Sequence, residues 1–268
     1  MELITIMHDM CDNKKYRFHL AKTTTDGNRP IDALTKSDDE WLNWQIYRGK
    51  AKERFTVDYI ISFAQLSGNK FLFGGVFQIT SRKTDKYKVK YTEKYKEFIG
   101  RLILEYTGNN TRVTVFKPTH IYENSTISGI YEYKFQGEPF ISFEEINHSF
   151  NAIEIIIKNS LPDWRVALSS VFGVYLISDK KTGKHYVGSA YGINGIWGRW
   201  CSYVNNYHGS NDELIELFNK KSESYFRENF MFSVLEIISS SMTKDDVIKK
   251  ESLWKRKLFS KEYGYNRN

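Results

Sequence analysis

Cysteine is nearly missing from this chain, and the gaps in its composition narrow its class first. Cys11 and Cys201 are its two cysteines, far apart and without a Cys-x-x-Cys spacing. That argues against a disulfide scaffold and a structural zinc site, and it makes a reducing cytoplasm the expected setting. Long apolar runs are missing too: nothing approaches the roughly 20 consecutive apolar residues that a membrane-spanning helix needs. The opening MELITIMHDMCDNKK has no basic stretch followed by a long apolar core, so no secretion signal is expected. The four prolines are scattered, and the chain shows neither repeats nor low-complexity tracts. Acidic residues are the minority, 32 against 39 lysines and arginines, for a net charge of +7. Residues before 171 carry +3 of this, and the shorter stretch after it carries +4. A moderate positive balance suits a polyanionic partner without requiring one.

Aromatic residues are abundant instead, at 16% of 268 positions and mostly Tyr and Phe, which favours strands. A chain of this length, 41% hydrophobic and 26% charged, can bury one large core or two modest ones. The best boundary is KNSLPDWRVALSSV, Lys158 to Val171, where Pro162 interrupts helix continuation after the apolar run Ile153–Ile157. A β-rich domain over 1–157, a linker over 158–171 and a second domain over 172–268 are therefore expected. In the first, DYIISFAQL and FLFGGVFQI are strand-length runs joined by a turn at Ser67–Lys70. EFIGRLILEYT, TRVTVFKP and ISGIYEYKF continue the pattern. A capping box, Ser37-x-x-Glu40, opens a helix through Trp41, Trp44, Ile46 and Tyr47. Several strands with one or two helices and glycine-rich turns predict a partly open β-barrel.

The second domain reads as ββααβα, a sandwich on a three-stranded sheet, which makes the whole chain α+β. GVYLISDKKTGKHYVG, Gly173 to Gly188, is a hairpin turning at Thr182–Gly183. A helix is predicted over Ile196–Tyr207, and Ser210-x-x-Glu213 caps a second. FMFSVLEI is a strand, and Thr243-x-x-Asp246 opens a last helix reaching Phe259. Val247, Glu251, Trp254 and Leu258 fall on one helical face, so Glu251 is a carboxylate inside an apolar stripe. Such a group needs a cation, a metal or a hydrogen-bond donor, and a salt bridge at the edge of the core is the plainer alternative. Arg199 and Tyr203, one turn apart, share a face beside Trp200 and Val204. A guanidinium there can pair with a carboxylate or fork onto a phosphate. Tyr175 and Tyr186 occupy the two hairpin strands, each close to a glycine, which a simple hairpin does not require.

Taken together, Gly-Val-Tyr175, Tyr186-Val-Gly, Arg199-x-x-x-Tyr203, Glu251 and the closing YGYN ending at Asn266 resemble the GIY-YIG nuclease family in order and spacing, over Phe172 to Asn268. The resemblance implies hydrolysis of phosphodiester bonds in double-stranded DNA with one Mg²⁺, or Mn²⁺ in its place, held by Glu251. It implies that Arg199 grips the scissile phosphate and that Tyr175 and Tyr186 line the approach of the attacking water. One phenol, with Tyr203, would help to take the water's proton, and Asn266 would hold the site together. Where many relatives carry a lysine after Tyr-x-Gly, this chain has Ser189 and then Ala190, leaving Lys184 or His185 as replacement donors. His185 points to the opposite strand face from Tyr186 and reads as structural or DNA-contacting. His208, in the loop before the Ser210 helix, reads as a solvated residue or a phosphate contact.

A β-rich domain ahead of a nuclease is the layout expected of a recognition module. YIISFAQLSGNKFLFGGVFQI is weakly similar to the barrel strands of PUA-like domains, some of which flip modified bases into an aromatic pocket. Trp41, Trp44, Phe71, Phe73 and Phe77 are the candidates for such a pocket, against the core role that strand aromatics normally have. The expected function is a Mg²⁺-dependent DNA endonuclease of restriction or phage-defence type, cytoplasmic and without a membrane partner. Pairing of two copies is the expected route to double-strand cleavage. A repair or mobile-element nuclease is one alternative, disfavoured by domain order. A DNA-binding protein with an inactive nuclease fold is the other, disfavoured by the intact Tyr175, Tyr186, Arg199, Glu251 and Asn266.

Overall fold

The structure, a computed structural model, describes residues 1–47, 53–109 and 112–267. The chain divides into two compact units, Met1–Phe135 and Gln136–Asn268, each mixing helices with a sheet. Among the described residues no helix is long and apolar enough to cross a membrane.

The first unit contains α1 (Leu3–Ile6), β1 (Tyr16–Ala21), α2 (Pro30–Lys36), α3 (Asp38–Ile46), β2 (Tyr59–Ser67), β3 (Lys70–Arg82) and β4 (Tyr87–Tyr91). After these come β5 (Leu102–Tyr106), β6 (Val115–Phe116), α4 (Pro118–Glu123) and β7 (Ser125–Ile130). Its strands form one sheet in the order β6-β1-β2-β3-β5-β7, with β4 paired to the far end of β3. β1 runs parallel to β2, and the other pairs are antiparallel. A register shift at Ser62/Phe63, opposite Gly74 and Gly75, bends β2 and β3, and the sheet curls into an open half-barrel. Alternation along the strands sends Phe18, Leu20, Ile61 and Phe63 to one buried face. Ala21, Ile60, Ala64 and Phe77 go to the other. Ser37 caps α3 as expected, its side chain accepting the Glu40 amide. The strand expected over 111–118 shrinks to β6, and residue 111 lies outside the described residues.

The aromatics weighed as candidates for a base-binding pocket pack into the core of this unit. Trp41 and Phe77 belong to one face of the sheet and Phe71 and Phe73 to the other, all buried. Trp41 donates its Nε1–H to the Gly74 carbonyl at 2.8 Å, and Trp44 packs half-buried on the same side. A sheet covered on both faces uses its large side chains as core filling.

The second unit begins well before the hairpin. β8 (Asn147–Ser149), α5 (Phe150–Lys158) and α6 (Pro162–Ser169) precede β9 (Phe172–Asp179), β10 (His185–Ala190) and α7 (Gly195–Asn206). The chain continues through α8 (Asp212–Lys220), α9 (Glu223–Asn229), β11 (Phe230–Ile238) and α10 (Lys244–Lys257). The boundary at 157 and the linker over 158–171 are corrected by the core. Phe150, Ile153, Ile156, Leu161, Trp164 and Leu168 share one apolar cluster with Tyr175, Trp200 and Phe232. Pro162 separates no domains; it opens α6 in the first turn, where a missing amide hydrogen leaves nothing unpaired.

Three further expectations change. The sheet has four strands, β10-β9-β11-β8, because Met231–Ser233 pair with Asn147–Ser149. Three helices rather than two lie between β10 and β11, the extra one being α9. Asn211, not Ser210, caps α8: its side chain accepts the Leu214 amide at 3.1 Å, while Ser210 turns the chain with φ 62°. Thr243 caps α10 as expected. Alternation puts Tyr175 and Tyr186 on the α7 side of the sheet, and Val174 and Val187 on the α10 side. β10 is an edge strand of this sheet, with β8 at the other edge.

This core sets a first prediction. A fragment 136–268 will melt cooperatively, whereas 165–268, stripped of α5 and Trp164, will not. Thermal unfolding by circular dichroism tests this; equal cooperative melts would contradict the assignment of 136–171 to the second core.

Candidate active site

A cavity of about 920 Å³ lies along the β10 edge, lined by residues that include Tyr186, Ser189, Arg199, Glu251, Lys255 and Asn266. The helix α7 supplies Arg199, α10 supplies Glu251, and β10 lies between them in the chain's layering.

Gly188 explains one of the glycines beside the tyrosines. It stands opposite Tyr175 in the register, and a Cβ there would run into the Tyr175 hydroxyl. The phenol therefore crosses β10 and reaches α7, where it shares a 3.1 Å hydrogen bond with the Tyr203 hydroxyl. Arg199 donates its Nε–H to the Tyr175 oxygen at 3.0 Å, and its guanidinium lies 5.3 Å from the Tyr203 ring centroid. Tyr186 has its ring centroid 6.4 Å from that of Tyr175 and 6.3 Å from that of Tyr203. Tyr175 and Tyr203 are fully buried, and of the three phenols Tyr186 is the one that lines the cavity.

Burial pushes the Tyr175 phenol far above its ordinary pKa, and Tyr186 adds to the rise; Arg199 and the Tyr203 bond pull back less. Tyr203 is raised in the same way, by burial and then by Tyr175. For Arg199, burial opposes the charge, yet the facing Tyr175 and Tyr203 hydroxyls outweigh it and hold the guanidinium protonated. Two neutral phenols thus fix one permanent cation.

Glu251 finds a cation and a donor at once. Its Oε1 accepts from Lys255 Nζ at 2.6 Å, and its Oε2 accepts from the Ser189 hydroxyl. Lys255 was missed in the sequence, although its position one turn after Glu251 is the ion-pairing spacing. It, rather than Lys184 or His185, brings an ammonium to the carboxylate. Lys184 instead lies exposed with its Nζ 5.5 Å from the Tyr265 ring centroid, and the His185 carbonyl accepts the Tyr265 amide at 2.8 Å. His208 is half-buried: its Nδ1 accepts the Ser210 amide at 3.0 Å, its ring meets Phe218, and burial lowers its pKa.

Asn266 closes the exposed edge of β10. Its Oδ1 accepts the Val187 amide at 2.9 Å and its Nδ2 donates to the Val187 carbonyl at 2.8 Å, as a further strand would. Gly264 permits this, since a Cβ there would strike the His185 carbonyl. A second anchor went unrecognised in the sequence. Buried Asp179 accepts hydrogen bonds from Tyr265 at 2.7 Å, Tyr225 at 2.8 Å and Thr182 at 2.8 Å. Burial raises its pKa, and these donors together outweigh it, so the carboxyl sits below its ordinary range.

A group depressed in the folded state stabilises above its unfolded pKa and stops doing so as pH falls through the folded one. Asp179→Asn will therefore cost about 2–3 kcal/mol at neutral pH, the scale of hydrogen bonds to a charged acceptor. The gap from wild type will narrow as pH drops below about 4. Denaturant titrations of both proteins across pH test it; a gap independent of pH would contradict it.

A comparison with protein-family models finds no match. Among curated proteins, a probable intron-encoded endonuclease bI1 of Neurospora crassa is 35% identical over 74 residues. The match takes in 28% of this chain and 15% of the relative, so the chain spans a small part of that protein's length. Among solved structures, two forms of the catalytic domain of the intron or homing endonuclease I-TevI, one a mutant, align at 32% and 33% identity. They cover 37% and 36% of this chain and 94% and 98% of their own length, each with a TM-score of 0.29.

Proposed function

We propose that this chain is a DNA endonuclease of the GIY-YIG type, hydrolysing phosphodiester bonds in the cavity at the β10 edge. The observation that carries this reading is the convergence of Arg199 and Glu251 on one cavity from two layers of the sandwich, with Tyr186 on its wall. The sequence likeness to an intron-encoded endonuclease supports the same reaction class.

Phosphodiester hydrolysis needs a bound phosphate, a cation for its developing charge and a path for the water's proton. Arg199 binds and stabilises the phosphate oxygens, aimed by Tyr175 and Tyr203 before substrate arrives. Tyr186 is the phenol placed to orient water or receive its proton, whereas the buried Tyr175 and Tyr203 act through Arg199. Asn266 keeps β10 in register so that Tyr186 and Ser189 hold their spacing.

The donor set fits Mg²⁺ or Mn²⁺ sparingly. Among the described residues no cluster of three or more His, Cys, Asp or Glu could enclose a metal. Each Glu251 oxygen nevertheless keeps a lone pair beyond its bond to Lys255 or Ser189, so a hard cation can sit on it with water and substrate oxygens completing the shell. Such a cation, when bound, supplies charge stabilisation and a more acidic water. Glu251 would hold it, and Lys255 and Ser189 set the carboxylate's orientation.

Tyr186→Phe will lower the single-turnover cleavage rate by about 10², the scale of a lost proton-transfer group, with thermal stability nearly unchanged. Tyr175→Phe will also slow cleavage but will lower stability, because Tyr203 and Arg199 lose a buried partner. Wild-type rates in both variants would reduce the two tyrosines to hairpin packing.

Site choice by the first unit, a restriction or phage-defence role and pairing of two copies extend this proposal. The likeness to an intron-encoded endonuclease favours a mobile-element setting as the second reading. Digestion of modified and unmodified phage genomes by the full chain and by 136–268, with Mg²⁺ and with chelator, tests all of it. Discrete cuts by the full chain in Mg²⁺ alone are expected. Failure to cut any DNA would remove the nuclease reading, and identical cuts by the fragment would remove the first unit from site choice.

A further inference from the structure

The first unit holds a polar network that its sheet packing does not need. His19 on β1 and Ser62 on β2 are register partners, on the face otherwise filled by Ala21, Ile60 and Ala64. Both are fully buried, as is Gln45 of α3. The Gln45 Oε1 can only accept, so it takes the His19 Nδ1–H at 2.8 Å and the Ser62 hydroxyl at 2.9 Å. The Gln45 amide nitrogen in turn donates to the Trp41 carbonyl at 3.3 Å. With Nδ1 committed as a donor, His19 Nε2 is an acceptor, and Arg54 Nη2 donates to it at 2.7 Å. Burial first, and the Arg54 charge second, lower the His19 pKa to about 3, so the ring stays a neutral acceptor. Arg54 Nη2 also reaches the Thr114 hydroxyl at 3.2 Å. Three buried side chains and a threonine therefore orient one guanidinium.

No described carboxylate pairs with Arg54, and residues 48–52 and 110–111 include no Asp or Glu. Its remaining neighbours are rings, Phe55 at 5.3 Å and Tyr47 at 6.0 Å from the guanidinium carbon. Its Nε–H and both Nη1 hydrogens are engaged by no described residue. Tyr47 is 57% exposed, and Arg54 is itself partly exposed. A half-buried cation held only by neutral groups weakens a fold, and an anion filling its free donors offsets that loss. The planar fork suits phosphate, and an exposed ring beside it suits the sugar or base that follows.

We propose that Arg54, with Tyr47 beside it, is a phosphate-binding subsite of the first unit that takes a backbone phosphate of DNA. This rests on the endonuclease reading above. Free phosphate or a phosphorylated small molecule offers the same chemistry, and the experiment separates these sources.

The full chain is held in EDTA, so that cleavage is off, and titrated against a fluorescein-labelled duplex over a salt series. Inorganic phosphate is titrated separately, with melting temperature as the readout. Arg54→Met should weaken DNA binding about tenfold and reduce the salt slope by about one, as for the loss of one phosphate contact. Arg54→Lys should fall between it and wild type, and Tyr47→Ala should also weaken binding. If Arg54→Met does not fold, these two milder variants carry the test. Unchanged affinity and slope in the folded variants would overturn the proposal and leave Arg54 a structural residue. Phosphate that raises the melting temperature of wild type but not of the Arg54 variants, with DNA affinity unchanged, would overturn the DNA assignment in favour of a free ligand. A wild type that binds no DNA would overturn the endonuclease reading itself, a different result from wild-type binding that the Arg54 variants share.

Discussion

Glu251→Gln will abolish DNA cleavage, by at least about 10³ in single-turnover rate, while DNA binding stays within a few fold of wild type. The substitution keeps the size and the hydrogen-bonding reach of the side chain, so the Ser189 contact survives. It removes the negative charge that faces Lys255 and that a divalent cation would need. Two further readouts distinguish this from simple unfolding: the melting temperature should shift little, and Mn²⁺ binding by calorimetry should disappear. A variant that cuts at the wild-type rate would take Glu251 out of the chemistry.

Arg199→Ala will lower the single-turnover rate by about 10²–10³, the cost of losing one preorganised charge-stabilising donor, with little change in DNA affinity. Preorganisation is the reason for this split between rate and affinity. Tyr175 accepts the Nε–H and Tyr203 underlies the guanidinium, which leaves the Nη edge for substrate. Arg199→Lys will restore little, because an ammonium can neither make the Tyr175 contact in that geometry nor fork onto phosphate. Full rescue by lysine would mean that the site needs only a positive charge. Equal losses in affinity and rate would mean that Arg199 binds ground state and transition state alike.

The hairpin, the Ser37 and Thr243 caps, and the placement of Arg199 and Glu251 on helices were legible in the sequence because each is a local pattern. Helical and strand periods, together with capping residues, act within a few positions of one another. The difference between Tyr175 and Tyr186 was not legible. Both lie on the same sheet face, and what separates them is that β9 is interior and β10 is an edge. Edge status follows from long-range strand order, which spacing does not encode. The fourth strand was hidden for a similar reason: Asn147-His148-Ser149 is short and polar, and only its pairing with Met231–Ser233 makes it a strand. Pro162 misled because a proline that blocks one helix can equally open the next. Asp179 and its tyrosines, and His19 with Arg54, unite residues distant in sequence. Their chemistry was readable only after the fold brought them together.

The most direct test of the central claim is to run wild-type cleavage of a labelled duplex in Mg²⁺ and H₂¹⁸O, and to weigh the product ends by mass spectrometry. Water attack at a phosphate held by Arg199 predicts one ¹⁸O in each new terminal phosphate, and no product from Glu251→Gln prepared in parallel. Product phosphate without ¹⁸O, DNA left joined to the protein through a tyrosine, or equal product from Glu251→Gln would contradict hydrolysis at this cavity.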